Sequence, residues 1–303
     1  MVRCRDVGAV DMMCYLMSPE HYKKVAAMPP SAQPAVGAGT LINELGGRPA
    51  GQPAERQRRR TGYTTEQYVE LMDKNGVDKS LICSVKMWDP LGQQPNWGLY
   101  CEEEEVHEWV KGAPGRMYGL AGYNPFHIIE NCEKVEKAVK EFDFKGVYVH
   151  SYGYGLRVDD RKFYPLYETC VRLDVPVSMQ MGHSAEAMLS EVGRPMAMDM
   201  VAIDFPRLTL IGSHTGWPWS QELIAMASKH RNVYMDVSAW PPSYWDHWLI
   251  REIDGRCRYK VMWGSNMTIA RSGENFDDMD KLLTREEAKR TILRENAMRV
   301  YKL

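Results

Sequence analysis

The chain has 303 residues, with 38 lysines and arginines against 40 aspartates and glutamates, for a formal net charge of −2. Dispersed basic residues and no basic helical stripe argue against a nucleic-acid or membrane-surface partner. No apolar run is long enough to cross a membrane and Met1 to Val10 lacks the apolar core of a signal peptide, so the expected setting is cytoplasmic. The seven cysteines are odd in number, scattered and never paired as C-x-x-C, which fits reduced thiols rather than a disulfide framework or a zinc knuckle. Cys14 reads as a small buried hydrophobe.

Val7 to Leu16 reads as a first strand, apolar on both faces as a parallel strand under helices is. Pro19 to Gly62, rich in proline and glycine, reads as a mostly irregular insertion of the length of a lid or an oligomer contact. Its Arg56, Arg58, Arg59 and Arg60 form a solvated face, or a carboxylate grip if the segment folds over a pocket. Thr64 and Gln67 form a capping box for a helix through Lys74. Strands follow at Asp78 to Val85, Arg116 to Tyr123, Phe144 to His150, Val175 to Met181, Leu208 to Ser213, Asn232 to Ser238 and Tyr259 to Gly264. Between them, helices are expected at Glu102 to Lys111, His127 to Phe142, Asp160 to Leu173, Pro195 to Asp204 and Pro218 to His230, with a last one from Arg285 to about Tyr301. Eight strands alternating with helices or long connections indicate one (β/α)8 TIM barrel over residues 1–303, with 19–62 as its insertion after strand one. A doubly wound sheet is the alternative, but no G-x-G-x-x-G follows the first strand.

In such a barrel the C-terminal strand ends carry the chemistry. The run Leu208 to Trp217 ends its strand on His214, a residue that gives or takes a proton near neutral pH; the alternative is a histidine that caps the next helix or bonds within its loop. Asp236 at the neighbouring strand end is placed to orient His214, or else to bond backbone inside the barrel. Trp88, Tyr123, Tyr148, Tyr152, Trp217 and Trp240 lie near strand exits and suit a pocket for a planar apolar ligand, although each alone also suits core packing. Lys86 is the one non-histidine cation at an exit, available to a substrate carboxylate or to a salt bridge with Asp89 or a glutamate.

The segments Phe205 to Gly216, Asn232 to Ser238 and Ile292 to Ala297 resemble the amidohydrolase-related family of barrels, which includes metal-dependent decarboxylases of aromatic or muconate-type acids and several lactone hydrolases. The resemblance spans nearly the whole chain. It implies an Asp-x-His-x-His motif on strand one, a histidine on strand five, one on strand six and an aspartate on strand eight. Here those positions hold Met13, Tyr15, Gln180, His214 and Asn266, so only the strand-six histidine remains. A thioether, a phenol and two amides offer a divalent ion little affinity, and no metal or other cofactor is expected. The competing expectation is a shifted metal site built from His150 or His183 with His214 and Asp236.

The resemblance and the substituted site together imply a metal-independent lyase or hydrolase acting on a small aromatic or cyclic carboxylate or ketone, with decarboxylation or related carbon–carbon cleavage favoured, His214 as general acid/base, and Tyr15, Asn266 and Asp236 assisting. Met13, Lys86, Trp88, Tyr123, Tyr148, His150, Gln180, His183, Trp217 and Trp240 would line the substrate pocket. The alternatives are a lactone or activated-ketone hydrolase in which His214 activates water, and a catalytically silent ligand-binding barrel. A homodimer or larger homo-oligomer is implied by the resemblance.

Overall fold

The computed structural model describes residues 2–27, 61–89, 94–95, 99–186, 188–266, 269 and 272–303. Residues 28–60, which hold the arginine run and most of the expected insertion, lie outside the described residues.

Strands β1 (Ala9–Tyr15), β2 (Val77–Cys83), the short ribbon β3 (Trp88–Asp89) and β4 (Gln94–Pro95), then β5 (Met117–Leu120), β6 (Val147–Val149), β7 (Val177–Gln180), β8 (Leu210–Ser213), β9 (Val233–Asp236) and β10 (Val261–Met262) follow in chain order. Apart from the antiparallel ribbon, all pair in parallel, as β1-β2-β5 and as β6 through β10. Bridges Ala121–Val147 and Cys14–Asn266 join the two sets, so eight strands close into a barrel. At the second seam Tyr15 N donates to Asn266 O at 3.1 Å and Asn266 N to Met13 O at 2.9 Å.

Helices α1 (Pro19–Ala26), α2 (Thr65–Lys74), α3 (Glu103–Val110), α4 (Ile128–Glu141), α5 (Tyr164–Leu173), α6 (Met198–Asp204), α7 (Ser220–Lys229), α8 (His247–Asp254) and α9 (Ser272–Leu282) form the outer layer with the C-terminal segments Glu286–Arg290, Thr291–Glu295 and Asn296–Tyr301. The Thr64–Gln67 capping box forms as its spacing predicts. Three helices depart from the sequence reading. Residues 19–26, expected to be irregular, form α1, because Ser18 caps it from the side chain and Pro19 stands at its first turn. Helix α8, capped by Asp246, and helix α9 lie in stretches for which no helix was expected.

Strand alternation sorts side chains into two cores. Met117, Val147, Val149, Val177, Met179, Val233 and Met235 join the layer between strands and helices. Val10, Leu81, Cys83, Leu120, Tyr148, Ile211 and Met262 fill the lumen, with Tyr301 reaching in from the C-terminal helix. A register shift in β1 between Asp11 and Cys14 breaks strict alternation, so Met12 and Met13 both join the lumen and Tyr15 follows.

Asp11, fully buried, fastens the β10–β1 seam by accepting from Ser265 N at 2.7 Å, Ser265 Oγ at 2.5 Å and Met13 N at 3.3 Å. Burial pushes its carboxyl up to about 7, against the pull of those hydrogen bonds. The unfolded chain therefore ionises Asp11 at lower pH than the folded one, and this residue makes stability fall as pH rises from about 4 towards 7. Chemical denaturation across that range is expected to show the fall in the native chain and a flatter profile in Asp11→Asn. Asp11→Ala, which orphans the Ser265 and Met13 donors, is expected to lose on the order of 3 kcal/mol.

Candidate active site

The side chains that alternation turns inward meet at the C-terminal end of the lumen. His150 follows Tyr148 by two residues, Gln180 ends β7, and Asp236 and Ser238 share one parity at the end of β9. Just past their strands, His214, Ala239 and Asn266 have φ of +68°, +67° and +66°. Non-glycine residues in the left-handed region cost roughly 1–3 kcal/mol each and persist where other contacts fix them.

Those contacts centre on Asp236. Its Oδ1 accepts from His214 N at 3.0 Å, Ser238 N at 2.8 Å and Ser238 Oγ at 2.5 Å. Because the Ser238 hydroxyl gives its proton to the carboxylate, its oxygen accepts from His214 Nδ1, 2.7 Å away. Nδ1 thus carries the proton, and Nε2 of the neutral ring holds the free lone pair. Burial lowers the His214 pKa below its ordinary value, opposed by the Asp236 carboxylate, while the charges of His150, Glu186 and His183 also reach the ring. Just past β10, a Cβ at Gly264 would stand 3.1 Å from Ser238 Cβ and 3.2 Å from Met13 Cβ, so a larger residue would press on both.

The opposite wall carries uncharged groups. The Tyr15 and Tyr148 phenols act on one another, and Tyr148 donates to Gln180 Oε1 at 3.0 Å. Burial pushes both phenols up, which keeps them neutral donors. His150 Nε2 stands 3.6 Å from Glu186 Oε2, and Ser184 Oγ donates to the same carboxylate at 2.8 Å. At the rim, Trp217 lies 5.0 Å by ring centroid from both His183 and Trp240. The Asn266 Oδ1 is buried without a hydrogen-bond partner among the described residues.

Three residues expected in the pocket are elsewhere. Lys86 is buried in the outer layer, its Nζ 2.6 Å from Glu102 Oε2 and 3.0 Å from Glu103 Oε2, so the salt-bridge alternative holds. Tyr123 donates to Lys162 O at 2.8 Å and packs on Phe163 under the helices. Trp88, on the β3–β4 ribbon, stacks on Tyr154. All three share one physical cause. Leu81, Cys83, Val85 and Met87 face the lumen, which turns Lys86 outward and puts Trp88 on the same parity, and Met117 and Ala121 face outward as Tyr123 does. Sequence reasoning missed Ser238 and Glu186. The first was legible, two residues beyond Asp236 on the same face; the second sits in a loop that no periodicity marks.

Residues 87–303 match the family model described as Amidohydrolase. The chain belongs to the amidohydrolase family. A search of the curated proteins finds no match. Among solved structures, 5-carboxyvanillate decarboxylase from Sphingomonas paucimobilis is 17% identical, with 98% of this chain and 99% of that chain covered and a TM-score of 0.67. The Novosphingobium aromaticivorans 5-carboxyvanillate decarboxylase, solved as a mutant with manganese and 3-methoxy-4-hydroxy-5-nitrobenzoic acid, is 16% identical over 97% of each chain at a TM-score of 0.66. An uncharacterised TIM-barrel protein from Bordetella bronchiseptica is 19% identical, with 96% and 97% covered and a TM-score of 0.71. These similarities establish the amidohydrolase barrel.

At the positions where this amidohydrolase would hold a divalent ion, the donors do not fit one. Met13 is a buried thioether, the Tyr15 phenol is kept neutral, and Gln180 Oε1 already accepts from Tyr148. Nor is the shifted site assembled. Among the described residues, the one set of three histidine, cysteine or carboxylate donors within 4.8 Å of one another is Glu102, Glu103 and Glu104, at the start of α3. No described helix is long and apolar enough to cross a membrane, and all seven cysteines are unpaired.

Nitrogen NMR of histidine-labelled protein is expected to show His214 as the Nδ1–H tautomer, and Ser238→Ala is expected to shift it towards a mixture. An unchanged spectrum in that variant would mean the hydroxyl does not hold the ring. Lys86→Met, which strands Glu103 in the outer core, is expected to lower stability in chemical denaturation by about 3 kcal/mol.

Proposed function

We propose that this amidohydrolase is a lyase of the decarboxylase type that works on a small aromatic or cyclic acid without a metal ion, with His214 as the group that moves the proton. The observation that carries the reading is the relay from His214 Nδ1 through Ser238 Oγ to Asp236, set in a cleft that it shares with the neutral phenols of Tyr15 and Tyr148 and the Gln180 amide. The two 5-carboxyvanillate decarboxylases among similar solved barrels support an aromatic acid as the substrate class. The manganese belongs to its own protein; here a thioether, a neutral phenol and amides support chemistry by proton transfer alone.

A substrate with an acidic ring hydroxyl beside its carboxylate supplies the proton the reaction needs. Neutral His214 Nε2 takes that proton from oxygen, and the Ser238–Asp236 relay stabilises the imidazolium. The same Nε2–H then protonates the ring carbon that bears the carboxylate. The carbon–carbon bond breaks, carbon dioxide leaves and the ring regains aromaticity as the phenolate. The net change is movement of one proton from oxygen to carbon and loss of carbon dioxide. Tyr15, Tyr148 and Gln180 orient the ring by hydrogen bonds that add no charge, and Trp217 and Trp240 at the rim limit water.

One feature favours a second reading, hydrolysis of a lactone or activated ketone. A buried imidazole that rests neutral at pH 7 is as fit to activate water as to take a substrate proton. Product analysis separates the two, since only the lyase releases carbon dioxide. With a panel of hydroxylated aromatic acids, carbon dioxide release is expected to persist in chelator and to fall about a hundredfold or more in His214→Gln. Turnover lost in chelator and restored by manganese or zinc would overturn the metal-free reading. Because neutral His214 is the working form, kcat/KM is expected to hold at neutral pH and to fall as pH drops through a pKa below about 6.5.

A further inference from the structure

A substrate carboxylate entering this mouth needs a cation, and Lys86 is withdrawn behind Glu102 and Glu103. Among the described residues, the charges that act most on His214 are those of Asp236, His150, Glu186 and His183, with no lysine or arginine among them. His214 has its Nδ1 committed to Ser238, and His183 packs between Trp217 and Trp240. His150 differs from both. Its side chain is fully buried, yet neither ring nitrogen has a hydrogen-bond partner among the described residues. Buried polar groups are ordinarily paired, and an orphaned imidazole calls for a partner.

The group nearest to filling that role is Glu186, from the loop after β7. Its carboxylate stands 3.6 Å from His150 Nε2, an ion-pair separation longer than a hydrogen bond, and its side chain is 23% exposed. Burial pushes this acid up, but His150 and the Ser184 hydroxyl outweigh burial and hold it at about 2, so it is ionised. Glu186 also bears on Tyr15 and Tyr152, which places its charge over the cleft. A fixed carboxylate there would repel an acid substrate. A half-buried one with a path to solvent can rotate away.

We propose that His150 is the carboxylate-binding residue of the cleft and that Glu186 is its placeholder, displaced into solvent when the carboxylate of an aromatic acid takes its position against the His150 imidazole. The substrate class rests on the lyase reading; the exchange itself is a binding event and needs no turnover. One anion replaces another, so the charge facing His150 is conserved, and Ser184 stays available to either carboxylate.

Calorimetric titration of the full chain with salicylate and its neutral counterpart salicylamide tests this. Glu186→Gln keeps the bond to Ser184 and removes the competing charge, and is expected to tighten salicylate about tenfold or more while leaving salicylamide unmoved. His150→Gln, and the same change added to Glu186→Gln, is expected to abolish the preference for the charged ligand. Equal tightening of both ligands in Glu186→Gln, weaker salicylate binding there, a preference that survives His150→Gln, or no saturable binding of either ligand would each overturn the exchange. If the titrations follow the expected pattern while no acid is decarboxylated, the lyase reading falls and the placeholder stands.

Discussion

One buried carboxylate oxygen, Asp236 Oδ1, holds the catalytic end of this barrel in register. It accepts from the backbone of the β8 exit and from both the backbone and the hydroxyl of the β9 exit. Two strands that would splay where their ladder stops are tied at one atom. Hydrogen bonds to a charged acceptor contribute about 1.5–3 kcal/mol each, enough to offset the strain of a left-handed His214 backbone. That backbone turns an imidazole, which strict alternation would send outward, back over the lumen. The placement of His214 over the lumen is thus a consequence of how the strand ends are joined.

The same economy governs charge. A parallel barrel packed with Met12, Met13, Met87 and Met262 has no means of solvating a free ammonium group in its lumen. Lys86 instead points to the outer layer, where Glu103, whose other oxygen accepts from Gly122 N, and Glu102 at the N-cap of α3 neutralise it. The carboxylates more than offset the burial that would otherwise discharge the lysine. That arrangement fastens the β2 exit to α3 and leaves the mouth to imidazoles, phenols, amides and the Glu186 carboxylate.

How much of this was legible in the sequence follows from what each signal measures. Apolar β-branched runs located all eight barrel strands, because strands covered on both faces must be apolar throughout. Helices α1, α8 and α9 escaped, although Ser18 and Asp246 cap the first two from their side chains. For the site, position along the chain identified the exits but not the side of the sheet. Counting by twos from the lumen residues separates Tyr148, Gln180 and Asp236 from Lys86, Trp88 and Tyr123, and would have added Ser238. It fails only in β1, where the shift between Asp11 and Cys14 brings Met13 and Tyr15 inside, and beyond β8, where a left-handed residue resets the direction. Glu186 has no such rule, because loops are fixed by tertiary contacts.

Placing a hydroxyl between imidazole and carboxylate has a consequence of its own. A carboxylate bonded directly to Nδ1 stabilises the imidazolium strongly and raises its pKa. Here the Asp236 charge reaches the ring through Ser238, the Coulomb attraction is weakened by the added distance, and burial prevails, so the ring rests below its ordinary value. The relay still fixes the tautomer, because Ser238 spends its own proton on Asp236 and must accept from Nδ1. Orientation and basicity are therefore set by different atoms: the hydroxyl decides which nitrogen faces the substrate, and burial decides that this nitrogen arrives unprotonated. The proposed proton transfer draws on that separation, since such an imidazole must take a proton readily and, once charged, give it up again.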